Sequence, residues 1–306
     1  LNMPLPSLLE TKWQIARNWA AEARQQKASH SRQARIALGF AVLAAIAGAL
    51  AATIGVNGTE VSPLSVSGLF ALTAGGTAAM STFFGQHMMS EQSQTKWIVA
   101  RATAENLQSE CYRYAAKIGA YAVSKDEAAK EFDSRTNELV QAAREKGIEP
   151  PAKVPPSSSR LSPPEDMGAE WYAKYRLAEQ QEWYLSRSED HRKKARTARR
   201  LGLLFGMVAA LLGFLGSVTQ GWLSITPFVG ATTTIATVVA LFASVDRHVF
   251  LASSYGGYAE AIASLLARFG EGLVGKDDLV LEGETLLASE YAAWTARLSM
   301  APKQPE

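Results

Sequence analysis

Residues 201–245 read LGLLFGMVAALLGFLGSVTQGWLSITPFVGATTTIATVVALFASV, forty-five positions without a formal charge between Arg200 and Asp246. A helix needs about 20 residues to cross the hydrocarbon core of a bilayer, so this run is too long for one crossing. It suits two crossings, over 201–219 and 226–245, around the turn signals Gln220-Gly221 and Pro227. Upstream, Arg35 to Glu60 encloses 24 uncharged residues rich in Ala, Ile, Leu and Gly, which predicts a span over 36–56. The turn dipeptide Asn57-Gly58 and Pro63 then precede a further apolar stretch, predicting a span over 64–84. Four spans in two tight hairpins follow.

The rest of the composition agrees. The 31 Lys+Arg and 29 Asp+Glu are nearly balanced, which argues against a strongly basic nucleic-acid binder, and a single Cys excludes an intramolecular disulfide. The charges are unevenly placed: only Glu60 lies within 36–90 and none within 201–245. A water-soluble chain would spread charge over the exposed face of every segment. The expected fold is an all-α membrane protein whose first partner is the lipid bilayer, with no nucleic acid.

Orientation follows from Lys and Arg at the span ends, because cytoplasmic flanks carry the excess. Arg17, Arg24, Lys27, Arg32 and Arg35 precede the first span, and Arg187, Arg192, Lys193, Lys194, Arg196, Arg199 and Arg200 the third. Neither hairpin turn contains Lys or Arg, so both turns are expected outside, with Trp222 as an outer-interface anchor, and both termini in the cytoplasm. Residues 1–6 show no basic region followed by an apolar run, so no cleaved signal peptide is expected.

The order of charged helix, hairpin and charged helices occurs twice. Trp19-Ala20, Ala34-Arg35 and Leu38-Gly39-Phe40 correspond to Trp183-Tyr184, Ala198-Arg199-Arg200 and Leu201-Gly202-Leu203. Ala104-Glu105 to Arg113-Tyr114 corresponds to Ala259-Glu260 to Arg268-Phe269. The predicted organisation is therefore two parallel repeats, 8–147 and 165–300, joined by a Pro/Ser-rich linker over 148–164. Outside the spans, helices are expected over 8–35, 88–122, 126–146, 166–200, 247–270 and 279–298.

The first span carries Ala41, Ala44, Gly48, Ala52 and Gly55 on one face, and the third Gly202, Gly206, Ala209, Gly213 and Gly216. Such stripes let backbones approach closely in lipid, either within a hairpin or between protomers. The second and fourth spans carry hydroxyls instead: Thr73, Thr77 and Ser81, then Thr226, Thr233, Thr237 and Ser244. These faces either line a wet path in a homo-oligomer or bond back to their own helices or to a neighbouring helix. Phe83 and Phe84 are candidates for a dewetting gate, and for interface anchors. No ionisable residue lies mid-span, which disfavours a coupled transporter. Arg35, Arg200, His87 and His248 fall at the cytosolic membrane surface, where His30 and His191 also lie. These His either sense pH, line a vestibule or are simply solvated there. There is no GxxxxGK[ST], no GxGxxG after a strand, no HExxH and no CxxC, and Cys111 has no His nearby in sequence, so neither catalysis nor a metal or cofactor is expected.

The pattern of Arg-rich helix, two-span hairpin with a very short outer turn and two cytosolic helices, given twice around a Pro-Ser linker and carried by Trp19, Trp183, Arg35, Arg200, Arg113 and Arg268, resembles a tandem SLATT protein. SLATT proteins are two-transmembrane effectors found beside nucleotide-second-messenger synthetases and SLOG sensor domains in bacterial conflict systems. The resemblance implies an antiphage effector of the bacterial inner membrane, a homo-oligomeric pore opened by a nucleotide-type signal or by a nucleotide-synthesising or nucleotide-sensing partner. The alternatives are a non-conducting membrane scaffold or sensor and a constitutive ion channel. No catalytic or ligand residue carries over from the family.

Overall fold

The computed structural model describes residues 7–56, 65–89, 91–149, 161–218, 226–245 and 248–299, except for the side chains of 30, 55, 56, 85–89, 91–95, 226, 241–245 and 291–299. Among them there is no β-strand. Helix α1 runs unbroken from Leu8 to Val56, α2 covers Val66–Met89, α3 Glu91–Ala116 and α4 Lys125–Glu145. In the second half a single turn, α5 (Ala169–Tyr172), continues through a π-helical segment (Ala173–Ala178) into α6 (Glu179–Val218). Helices α7 (Thr226–Val245), α8 (His248–Gly270) and α9 (Lys276–Ser299) complete the order.

The expected spans coincide with helices. Long apolar helical stretches able to cross a membrane lie in α1, in Val66–Phe84 of α2 and in the continuous Ala169–Val218 rod, while α7 carries a shorter apolar run, Pro227–Ala240. The turn residues Asn57, Gly58, Pro63, Gln220, Gly221 and Trp222 lie outside the described residues.

The chain divides into two compact units that do not follow the sequence repeats. One, the charged unit, gathers 1–28, 91–187 and 254–306, and the other, the apolar unit, gathers 29–90 and 188–253. Each unit draws on both halves of the sequence, because burial sorts segments by solvent preference rather than by chain order.

The charged unit has a conventional core. Trp19, Ala16, Ala100, Ala104, Leu107, Ala143 and Ile148 pack together, and Trp19 and Leu107 are fully buried. Ile148, at the start of the expected linker, thus belongs to this core. The Tyr114 and Phe132 rings stack with centroids 4.3 Å apart, pinning α4 to α3. Helix α4 starts at Ser124, whose Oγ accepts from the Glu127 backbone N–H, satisfying one of the donors a helix start leaves open.

Across the same unit, Arg176 of the π segment donates to both carboxylate oxygens of Glu284 on α9, at 2.9 and 3.1 Å. Tyr172 Oη donates to the same carboxylate at 3.0 Å, and the guanidinium lies 4.5 Å from the Tyr112 ring centroid on α3. Burial works against the guanidinium charge, but Glu284, with Tyr112 and Glu105 adding to it, outweighs that and holds Arg176 firmly protonated. A Cβ at Gly283 would come within 2.5 Å of Tyr172 Oη, so only glycine lets α9 approach this closely.

The expected helix 88–122 ends early. Lys117 adopts φ 58°, the Ile118 N–H bonds to the Arg113 carbonyl, and a short 3-10 turn, Gly119–Tyr121, follows. This is a left-handed helix stop built on lysine where glycine is usual, which left no signal in composition.

Candidate functional site

In the apolar unit, α1 and α2 form a closed antiparallel hairpin. Phe40 and Phe84 stack with centroids 5.9 Å apart, Ser81 Oγ donates to the Ala37 carbonyl at 3.0 Å, and a Cβ on Gly48 would sit 3.9 Å from that of Ala74. These contacts run in opposite chain directions, from 37 with 81 to 48 with 74. Two of the sequence candidates are thereby placed within the hairpin: Ser81 binds α1 backbone, and Phe84 packs on an α1 ring. Phe83 stands 63% exposed at its edge, touching Phe84.

The hydroxyls bond back to their own helices. Thr73 donates to the Leu69 carbonyl, Thr77 to Thr73, Thr233 to Val229 and Thr237 to Thr233, at 2.7–3.0 Å. Each proton is spent inside the helix, but a hydroxyl keeps lone pairs that accept from water or face a cation.

In the second hairpin the two helices differ in what they expose. Helix α6 presents Leu203, Leu204, Met207, Val208, Leu211, Phe214, Leu215 and Val218, large apolar side chains suited to lipid. Among the described residues of α7 no large apolar side chain is exposed. Its exposed positions are Gly230, Thr233, Thr234, Thr237 and Ala240. At about 100° per residue, all but Thr234 fall within about 80° of one helix face. Thr226 and Ser244 share the register of that face, and their side chains lie outside the described residues. The α6 glycines behave unlike Gly48: a Cβ at Gly202, Gly206 or Gly213 would meet open space. Gly55 falls outside the described side chains.

At the charged end of α6, His191 Nδ1 lies 2.9 Å from His248 Nδ1 of α8, and Ser188 Oγ donates to the Ala252 carbonyl at 2.6 Å. Sequence spacing gave no hint that these two His meet across the second hairpin. Arg35 Nε donates to the Ser31 carbonyl at 3.2 Å, and Arg200 is exposed. The side chains of His30 and His87 are outside the described residues.

In the charged unit Cys111 is fully buried, and burial, reinforced by Glu110 and Glu284, pushes its thiol pKa up. It is a protonated core group at neutral pH. Among the described residues no three His, Cys, Asp or Glu converge on a possible metal position.

The helices and their exposed apolar faces define an all-α membrane protein. Residues 172–294 match the family profile SLATT_1, the SMODS and SLOG-associating 2TM effector domain 1, and residues 16–129 match DUF4231, a protein of unknown function. The first match supports the SLATT family, described as a two-transmembrane effector domain, and takes in the apolar stretches of α6 and α7. The first half matches a different profile, so a duplicated SLATT unit rests on the internal correspondences alone. No curated protein and no solved structure matches the chain.

Proposed function

We propose that the protein is a non-enzymatic, homo-oligomeric pore of the bacterial inner membrane, with cytoplasmic termini, that opens after a cytosolic nucleotide-type signal in antiphage defence. The observation carrying this is the exposed face of α7. Gly230, Thr233, Thr237 and Ala240 form a small, hydroxyl-bearing strip on a helix whose large side chains are elsewhere. Lipid is met by large apolar groups, as on α6, whereas a strip of glycine, alanine and threonine suits a neighbouring helix or water. With their protons bonded inward, Thr233 and Thr237 offer acceptors to a hydrated cation. Thr73, exposed on α2, is the corresponding position of the first hairpin.

Current across a planar bilayer containing the purified chain, without ligand and then with a panel of cyclic nucleotides, tests the proposal. Thr233→Leu with Thr237→Leu should reduce conductance at least tenfold, and unchanged conductance would remove α7 from the lumen. The inward bonding of every described span threonine also favours a second reading, a non-conducting membrane scaffold that recruits a cytosolic partner. Silence throughout the nucleotide panel, with insertion confirmed, would favour that reading, whereas current without any ligand would indicate a constitutive channel.

A further inference from the structure

The densest charge cluster in the chain plays no part in the pore reading. Between 192 and 200 the sequence reads RKKARTARR, and Arg192, Lys193, Lys194, Arg196, Arg199 and Arg200 are all exposed on α6. At about 100° per residue, five of the six, all but Lys194, lie within about 120° of one helix face. Arg192, Arg196 and Arg200 follow one another at four-residue spacing, where like charges repel and destabilise a helix. Glu189 and Asp190 precede the band, and among the described residues the carboxylate within 4.0 Å of it is Glu189, 3.9 Å from Lys193. Among the described residues no carboxylate lies within 4.0 Å of Arg192, Lys194, Arg196, Arg199 or Arg200.

The same helix continues without a break into the exposed apolar stretch from Leu201 to Val218. At 1.5 Å rise per residue the band extends about 13 Å beyond the first apolar turn, which places it at headgroup depth and just outside it. The first hairpin has no counterpart: its approach over 24–35 carries Arg24, Lys27, Arg32 and Arg35, and Arg35 is bonded to its own backbone. Orienting a hairpin needs only an excess of positive charge on its cytoplasmic flank. Six cations in nine residues, mutually repelling and almost without carboxylate partners, exceed that need.

We infer that Arg192–Arg200 is a binding surface for the phosphates of anionic phospholipid headgroups, which neutralise it and hold α6 at a fixed depth. The occupant is a lipid rather than a free phosphate compound because the band is continuous with a lipid-facing helix. Arginine predominates, and its planar guanidinium engages phosphate oxygens in pairs. The inference holds whether or not the protein conducts.

The test uses the full chain reconstituted in vesicles of phosphatidylcholine with phosphatidylglycerol, each lipid spin-labelled in turn. Electron spin resonance then reads which lipid the protein immobilises. The wild-type chain should prefer phosphatidylglycerol roughly fivefold, and about 1 M NaCl, where the screening length is about 3 Å, should erase the preference. R192Q/R196Q/R199Q, which keeps Lys193, Lys194 and Arg200 for orientation, should reduce the preference to near unity. K125Q/K130Q/R144Q, an equal charge change on exposed residues of α4, should leave it intact. Equal immobilisation of the two lipids by the wild type would overturn the inference, as would a preference surviving in the band variant. Millimolar inorganic phosphate that abolishes the preference at constant ionic strength would also overturn it, by marking a free-phosphate site. The salt test on the wild-type chain stands even if the band variant inserts poorly.

Discussion

The charged unit keeps most of its large apolar side chains inside, and the apolar unit wears many of its own outside. Trp19, Phe132 and Ile262 are fully buried in the first, whereas Leu203, Met207 and Phe214 in the second are 62%, 71% and 65% exposed. One physical rule produces both patterns: apolar surface is removed from water, by a protein core in one region and by lipid in the other. A finer contrast lies inside the apolar unit. The first hairpin closes on itself through Phe40, Phe84, Ser81 and Gly48, while the α6 glycines touch nothing and α7 exposes a small polar strip. A Cβ at Gly39, Gly75 or Gly76 would also meet open space, so the first hairpin closes at Gly48 and Phe84 but keeps open surface elsewhere.

The largest effect should come from the core of the charged unit. Arg176→Met would leave Glu284 buried without its partner, which costs about 3–5 kcal/mol, whereas R176M/E284L should recover most of the loss. Thermal melts of the detergent-solubilised protein, followed by circular dichroism, check both variants. A single variant that melts like wild type would mean that the clasp is not what holds α9 to the π segment.

Membrane insertion tests the contrast between the units directly, because Leu185 and Leu211 are both exposed and both on α6. Leu211 lies in the apolar unit and Leu185 in the charged one. Leu211→Arg should cost about 2.5–3.5 kcal/mol of insertion free energy, and Leu185→Arg close to nothing. An insertion reporter fused around α6 measures the difference. If both substitutions were tolerated alike, Leu203–Val218 would be a water-exposed helix and the two-solvent comparison would fail.

The contrast between the hairpins is sharpened by a pair of glycine substitutions. Gly48→Leu drives branches into Ala74 and should destabilise the first hairpin by about 1–3 kcal/mol. Gly206→Leu enters open space within a single chain, so it should leave the monomer's melt unchanged and weaken only association, read by cross-linking in vesicles. An equal effect of both on the monomer would put the α6 stripe inside its own hairpin.

The all-α membrane fold was legible in sequence, because span length and charge exclusion are one-dimensional signals: helices long and apolar enough to cross a membrane lie in α1, in α2 and in the rod that reaches Val218. The sorting into units was not legible, since it depends on α3 from one half packing beside α9 from the other, through Arg101 and Glu290. The π segment and the lysine-built stop at Lys117 were missed because neither uses the Gly or Pro that sequence reading depends on. At the candidate site, hydroxyl spacing identified the α7 face but could not separate Thr233, exposed there, from Ser81, which α1 engages. The meeting of His191 with His248 needed the packing of α8 on α6, which no local spacing encodes.

The smallest expected effect concerns pH. Glu290 of α9 accepts from Arg101 of α3 at 3.0 and 3.1 Å, yet burial raises its carboxyl above the usual glutamate range despite the attraction of Arg101, with Glu105 adding to the rise and Lys27 opposing it. The guanidinium stays protonated: burial would depress it, but Glu290 together with Tyr255, Glu105 and Tyr184 outweighs that. A carboxyl raised by folding binds its proton more tightly in the native state than in the unfolded one. Its contribution to stability is complete below the unfolded value of about 4.3 and is lost as pH rises through the raised native value. Melts of the charged unit should therefore lose a little stability over that window, and Glu290→Gln, which cannot ionise, should flatten the slope there. An unchanged slope in the variant would mean that Arg101 holds Glu290 ionised throughout, and that the α3–α9 contact is a permanent ion pair instead of a weakly pH-dependent one.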